Sequence, residues 1–164
     1  RHRLLSLPTD SHRPSARPTG RYLRPTALVW GMREDGFVDA CRTARRFYEI
    51  LALPDDFDGR IALLEARFPA PLERPLILVS GSRVNTGAVI AWAKARGFAW
   101  KKDLFYSDFD NESPPEVWGL TVTSFIQDDA SLAGKAMEQI LDLITGARHE
   151  VKQLIPPRFI TGDT

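Results

Sequence analysis

"LILVSGSRVNTGAVIAWAKARG", residues 76–97, decides the fold. Leu76 to Val79 form an unbroken apolar run closed by Ser80, the signature of a strand buried on both faces, as in a parallel sheet. Ser82 has the chemistry of a helix N-cap, and Gly97 that of the residue just past a helix C-terminus, so the stretch to Arg96 reads as a helix. "DLFYS", residues 103–107, follows as a second strand. A strand, a helix and a further strand in close succession make a βαβ unit. The fold class is therefore α/β, with a largely parallel sheet and right-handed crossovers.

The same alternation extends outward in both directions. Upstream, Phe37, Ala40, Cys41, Ala44, Phe47, Tyr48 and Leu51 recur at helical spacing from Gly36 onward. Asp58 can cap a second helix containing Ile61, Leu64 and Phe68, which Pro69 and Pro71 end. Downstream, "GLTVTSF", residues 119–125, has the β-branched content of a strand. Asp129 or Ser131 then opens a helix with a wide apolar stripe: Leu132, Ala133, Ala136, Met137, Ile140, Leu141 and Ile144, closed by Gly146. One or two strands broken by Pro156-Pro157 follow. At the amino end Leu4–Leu7 reads as a short strand. Residues 8–26 read as a solvated loop interrupted by Pro8, Pro14, Pro18 and Pro25. Six Arg against one Asp in the first 24 residues raise the alternative of a basic arm, which the proline spacing opposes.

Composition narrows the function classes. The 164 residues suit one substantial core, and the net charge of +1 gives no global attraction to nucleic acid or membrane. The single cysteine, Cys41, rules out an intramolecular disulfide and reads as a small apolar residue on a helix. There is no apolar run of about 18 residues and no signal-peptide pattern. The chain begins at Arg1 rather than Met, which reads as a fragment or a processed product.

Ligands of such sheets bind beyond the carboxyl ends of the strands. Two consecutive strand ends are polar here: Ser80, Gly81, Ser82 and Arg83, then Asp108, Asp110 and Asn111. Carboxylates, amides and an arginine beside aromatic rings suit a polyhydroxylated ligand, whose hydroxyls they bind and whose apolar face a ring covers. The alternative is that these residues only cap loops and helices. The order Ser82, Asp110, His149 copies that of an α/β-hydrolase triad, but G-x-S-x-G is missing, since Ser80 and Val84 flank the serine. There is no P-loop and no G-x-G-x-x-G. His2, His12 and His149 lack ligand spacing, and Asp108 with Asp110 would be a small part of any cation shell. No catalytic residue, cofactor or metal is expected.

Taken in order, several segments resemble the LacI/GalR-type bacterial transcription regulators, the lactose-repressor family. "RHRLLSL" is similar to the family's Gly-His-Arg-Arg-Ile strand, and "MREDGFVDA" to its R-x-x-G-F-x-x-A. "LILVSGSRVNTGAVIAW" resembles its A-N-D-x-x-A-x-G-A strand and helix, and "SDFDNE" its G-F-D-N. "LTVTSFIQDDASLAGKAM" resembles L-T-T-V-x-Q-x-x-x-x-x-G-x-x-A, and "LIPPRFITGDT" the closing L-x-P-x-L-x-x-R-x-T. Three departures stand out. Gly81-Ser82 replaces the usual Asn-Asp, Asp108 replaces the usual Gly, and the loop 8–26 is long.

The resemblance implies the carboxyl-terminal lobe of a periplasmic-binding-protein-like type I fold, with a three-layer sheet. Residues 1–128 would form that lobe, 129–147 the crossover helix of the amino-terminal lobe, and 148–164 the return strand and tail. It implies an effector site with Arg33 and Asp110 as hydrogen-bonding residues, Phe57 as the stacking aromatic and Gln127 at the crossing between lobes. The contact usually made by the missing Asn would be lost or would move to Ser80, Ser82 or Arg83. It implies a homodimer contact near Thr86, Ile90 and Trp118. The function implied is a cytoplasmic, ligand-responsive repressor. Its partners would be a saccharide-like effector and operator DNA, the latter read by a helix-turn-helix absent from this chain; no membrane is involved. A periplasmic sugar-binding protein of a transporter is the rival reading, against which the "LTVTSFIQ" and "PPRFITGDT" patterns argue. The 131–145 stripe is expected to fold back on the local sheet or to pair with a second copy, because leaving it in water forfeits about 1.5–3 kcal/mol per large side chain.

Overall fold

The computed structural model describes residues 20–24, 31–69, 71–72, 75–147 and 154–164. The strands β1 (Gly20–Arg24), β2 (Tyr48–Ala52), β3 (Leu76–Ser80), β4 (Leu104–Phe109), β5 (Thr123–Ile126) and β6 (Arg158–Ile160) form one sheet in the order β2-β1-β3-β4-β5-β6. The first five are parallel and β6 runs antiparallel to β5. The helices are α1 (Gly31–Thr43), α2 (Phe57–Arg67), α3 (Thr86–Arg96), the single turn α4 (Pro115–Trp118) and α5 (Asp129–Thr145). The expected α/β class and largely parallel sheet are what the chain adopts.

The core lies between the sheet and the α2–α3 layer. Alternation along the strands sends Leu76 and Leu78, and Leu104 and Tyr106, to this side, where they meet Leu64, Val89 and Trp92. Trp92 is fully buried. α3 ends at Gly97, whose φ of 67° lets its N–H close the last turn. The opposite face is covered differently. Among the described residues α1 is the helix packed there, and it covers the β1–β2 end, where the Phe37 ring lies 5.2 Å from Tyr22 and 6.0 Å from Tyr48. Beyond it an apolar cavity of about 740 Å³ opens over Ile77, Phe105, Phe125 and Phe159. Residues 76–80 are therefore buried on one face, with Ile77 39% exposed on the other, rather than on both as their unbroken apolar run implied.

Four boundaries depart from the sequence reading. The loop expected at 8–26 contains β1, a central strand whose Tyr22 and Leu23 are fully buried. Pro18 and Pro25 frame this strand instead of forbidding it. The strand expected at Leu4–Leu7 and the remainder of that loop lie outside the described residues. α1 starts at Gly31 and stops at Thr43. Arg45 then adopts a left-handed φ of 51°, so Tyr48 and Leu51 belong to β2 and not to a continued helix. α2 is capped by Asp56, whose Oδ1 accepts from the Gly59 N–H at 2.6 Å, rather than by Asp58.

The tail is sewn to β4 and β5. Thr164 Oγ1 donates to the Tyr106 carbonyl (2.8 Å), and Asp163 exchanges two bonds with the Thr121 backbone. Gly162 is required for this docking, since a Cβ there would lie 2.3 Å from the Thr121 carbonyl oxygen. α5 does not fold back on the sheet. It is capped by Asp128, none of its residues is buried, and Leu132, Met137, Ile140, Leu141, Leu143 and Ile144 are all exposed. The topology explains this. Because β6 is antiparallel to β5, with Ile126 opposite Arg158, the chain leaves and re-enters the sheet at the same edge, and α5 lies on the excursion between.

Candidate functional site

The carboxyl ends of β3, β4 and β5 meet the first turn of α1 and form a polar cleft. Arg33, on that first turn, reaches across it. Its Nη1 donates to the Gly81 carbonyl at 2.8 Å, its Nη2 pairs with Asp110 Oδ2, and its guanidinium carbon lies 4.8 Å from the Phe109 ring centroid. Asp110 follows β4 with φ 59°, a left-handed conformation that aspartate tolerates better than most residues. Its backbone N–H is held by the Phe125 carbonyl. Gln127, just past β5, donates its backbone N–H to Asp110 Oδ1 (3.3 Å) and its Nε2 to Oδ2 (3.1 Å). Partial burial opposes ionisation of Asp110, but the hydrogen bonds from Arg33 and Gln127 outweigh it and hold the carboxyl below the usual range. A cavity of about 360 Å³ opens here, lined by Ser82, Arg83, Phe109, Asp110, Glu112 and Gln127, with Ile126 and Asp129.

A second, buried polar layer lies beneath. Ser80 Oγ donates to the Ser82 carbonyl (2.7 Å) and accepts from Asn85 Nδ2 (3.0 Å). Asp108 Oδ2 accepts from Thr86 Oγ1 and from Asn111 Nδ2 (2.8 Å), and Thr86 Oγ1 also meets the Tyr106 hydroxyl at 2.9 Å. Burial pushes the Asp108 carboxyl up, against the hydrogen bonds it accepts. Burial likewise pushes Tyr22 up to about 12, so its phenol stays neutral. Gly81 is explained by Tyr22. A Cβ at position 81 would lie 2.0 Å from the phenolic oxygen, which excludes the Asn usual at this point of the LacI-type pattern.

The structure thus brings together Arg33, Asp110, Gln127 and Ser82. Ser80 lies underneath, fully buried and bonded within its own turn. Phe57 is on the first turn of α2, half exposed and outside the cavity lining, where it faces Gly87. The aromatic in the cleft is Phe109, which the sequence reading passed over. The alternation of β4, Phe105 and Phe109 on one face with Tyr106 and Asp108 on the other, was the signal that could have found it. Thr86 and Ile90, expected at a dimer contact, are 0% and 3% exposed and belong to this chain's own interior. Trp118 is partly buried and packs over Gly87. His149 lies outside the described residues, so the serine–aspartate–histidine order has no geometry to support it. Among the described residues no group of His, Cys, Asp and Glu is placed to hold a metal ion, and no helix is long and apolar enough to cross a membrane.

The sequence matches no known family model and no curated protein. Its fold matches solved structures. A regulatory protein of the LacI family from Chloroflexus aggregans superposes with a TM-score of 0.73 at 22% identity, over 88% of this chain and 54% of that one. A LacI family transcriptional regulator from Bifidobacterium animalis subsp. lactis gives 0.71 at 16% identity, over 89% and 55%. A LacI family transcriptional regulator from Arthrobacter sp. FB24, in complex with lactose, gives 0.69 at 13% identity, over 87% and 55%. The chain spans about half the length of these proteins. It has the periplasmic-binding-protein-like α/β architecture of LacI-type regulators.

Proposed function

We propose that the cleft binds a small polyhydroxylated effector, a mono- or disaccharide, and that the chain is the effector-binding part of a LacI-type transcription regulator. The observation that carries this is the cavity at the strand ends lined by Ser82, Asp110 and Gln127, with Arg33 paired to Asp110 behind that wall. Asp110 can accept further hydroxyl hydrogen bonds while keeping its ion pair, because a carboxylate has about four lone-pair sites. Phe109 offers an apolar ring on the same wall. The cavity lies in the volume range of small-ligand sites, about 300–1,000 Å³. The solved relative in complex with lactose has the same fold, which makes lactose a reasonable first probe.

In this reading the exposed stripe of α5 is the face that a second lobe covers, and residues 129–147 are the crossover helix. The effector closes one lobe on the other. That shift of population is passed to DNA-reading headpieces of a dimer in the cytoplasm. No step requires an enzyme active site. Calorimetric titration of the full chain with a panel of mono- and disaccharides, lactose first, tests the proposal. One saturating saccharide is the expected result, and no heat from any member contradicts it.

A further inference from the structure

Asp108 takes no part in lining the cleft, yet it sits where the two walls are joined. It is fully buried. One of its oxygens accepts from both sides: from Thr86, the first residue of α3, and from Asn111, the residue after Asp110. Thr86 closes the short turn that carries Ser82 and Arg83, one wall. Asn111 fixes the loop that carries Asp110 and Glu112, the other wall. Its own N–H donates to Ser124 Oγ (3.2 Å), and its Oδ1 accepts from the Ser113 N–H (3.1 Å), so the loop is held at three points. Arg33 also links the two segments as a donor, to the Gly81 carbonyl and to Asp110, whereas Asp108 links them as a buried acceptor.

We propose that Asp108 is a positioning residue: its buried carboxyl sets the separation of the Ser82–Arg83 wall from the Asp110–Glu112 wall. This deepens the reading of the cleft as a ligand site and rests on it, but its test needs no ligand. Spin labels at Arg83→Cys and Glu112→Cys, in a Cys41→Ser background of the full chain, report the distance between the walls by electron paramagnetic resonance. Asp108→Asn keeps an oxygen able to accept both bonds and should leave the distance distribution as in the reference protein. Asp108→Gly, Thr86→Val and Asn111→Ala each remove a link and should widen it.

If Asp108→Gly does not fold, Thr86→Val and Asn111→Ala decide. A reference-like distribution in those variants overturns the proposal, as does a distribution in Asp108→Asn as wide as in the variants that lose a link. Saccharide binding is read separately on the same proteins. A chain that binds no sugar but shows the predicted widening refutes the ligand reading and leaves the positioning role standing.

Discussion

Asp108 and Asp110 are two residues apart on one strand and answer to opposite environments. Around Asp108 stand Tyr106 on its own strand, Thr86 from α3, Ser124 from β5, Asn111 and the Asp110 charge, and burial raises its pKa. The folded state then holds a proton that the unfolded state releases above about pH 3.9. Stability associated with this group is therefore present at low pH and lost as pH rises through the folded value. Asn at 108 has no such dependence. Urea unfolding should show wild type losing stability relative to Asp108→Asn as pH rises above about 3.9, with the difference flat below it. A pH-independent difference would contradict the burial argument. Asp110 has the reverse sign. Its pKa is lowered, so its contribution is present above about pH 3.9 and lost as pH falls through the lower folded value. Gly81 is set by sterics alone. Gly81→Ala should cost about 1–3 kcal/mol in urea unfolding, because Tyr22 is fully buried and cannot move aside.

Arg60 shows how whole elements are fixed around the cleft. On α2 and nearly buried, it donates to the carbonyls of Pro54 (2.9 Å), Asp55 (2.6 Å) and Val84 (2.9 Å), tying the β2–α2 loop to the turn before α3. Arg60→Ala leaves three carbonyls without this donor and should destabilise the chain by about 1.5–3 kcal/mol, measured by thermal or urea unfolding. Nothing in its sequence context separates Arg60 from a solvated helix arginine, because its partners are backbone carbonyls with no sequence identity. The β3–α3–β4 unit was legible for the opposite reason: its apolar run and its Gly97 stop agree, although Ser82 caps the short turn Arg83–Asn85 and α3 itself begins at Thr86. β1 was hidden because prolines just outside a strand look like prolines within a loop. β2 was hidden because Phe47, Tyr48 and Leu51 continue a spacing of three and four by coincidence, until Arg45 turns the chain. Of the residues proposed for the cleft, Arg33 and Gln127 came from the family resemblance alone, and Asp110 and Ser82 from the strand-end rule as well. Phe109 and the bridging role of Asp108 were missed because the strand read at 103–107 stops short of both residues, whereas β4 runs on to Phe109 and places the two on opposite faces.

At the scale of the molecule, α5 and the open face over Ile77 and Phe105 are the two apolar surfaces that the described residues leave uncovered. Substituting Ile140 and Ile144, which are 50% and 75% exposed, with Lys should change the unfolding free energy of this chain by no more than about 0.5 kcal/mol. A larger loss would show that α5 is packed in this chain after all. The cleft lies where that excursion begins, at Gln127 just before α5. The most direct measurement is calorimetric affinity for the saccharide that binds wild type, repeated on Arg33→Ala and Asp110→Ala. Each variant should lose about 1.5–3 kcal/mol, at least a tenfold weakening, since Asp110 is a charged hydrogen-bonding group of the cavity wall and Arg33 is the ion-pair partner that holds it there. Wild-type affinity in both variants would contradict the assignment of this cleft as the effector site.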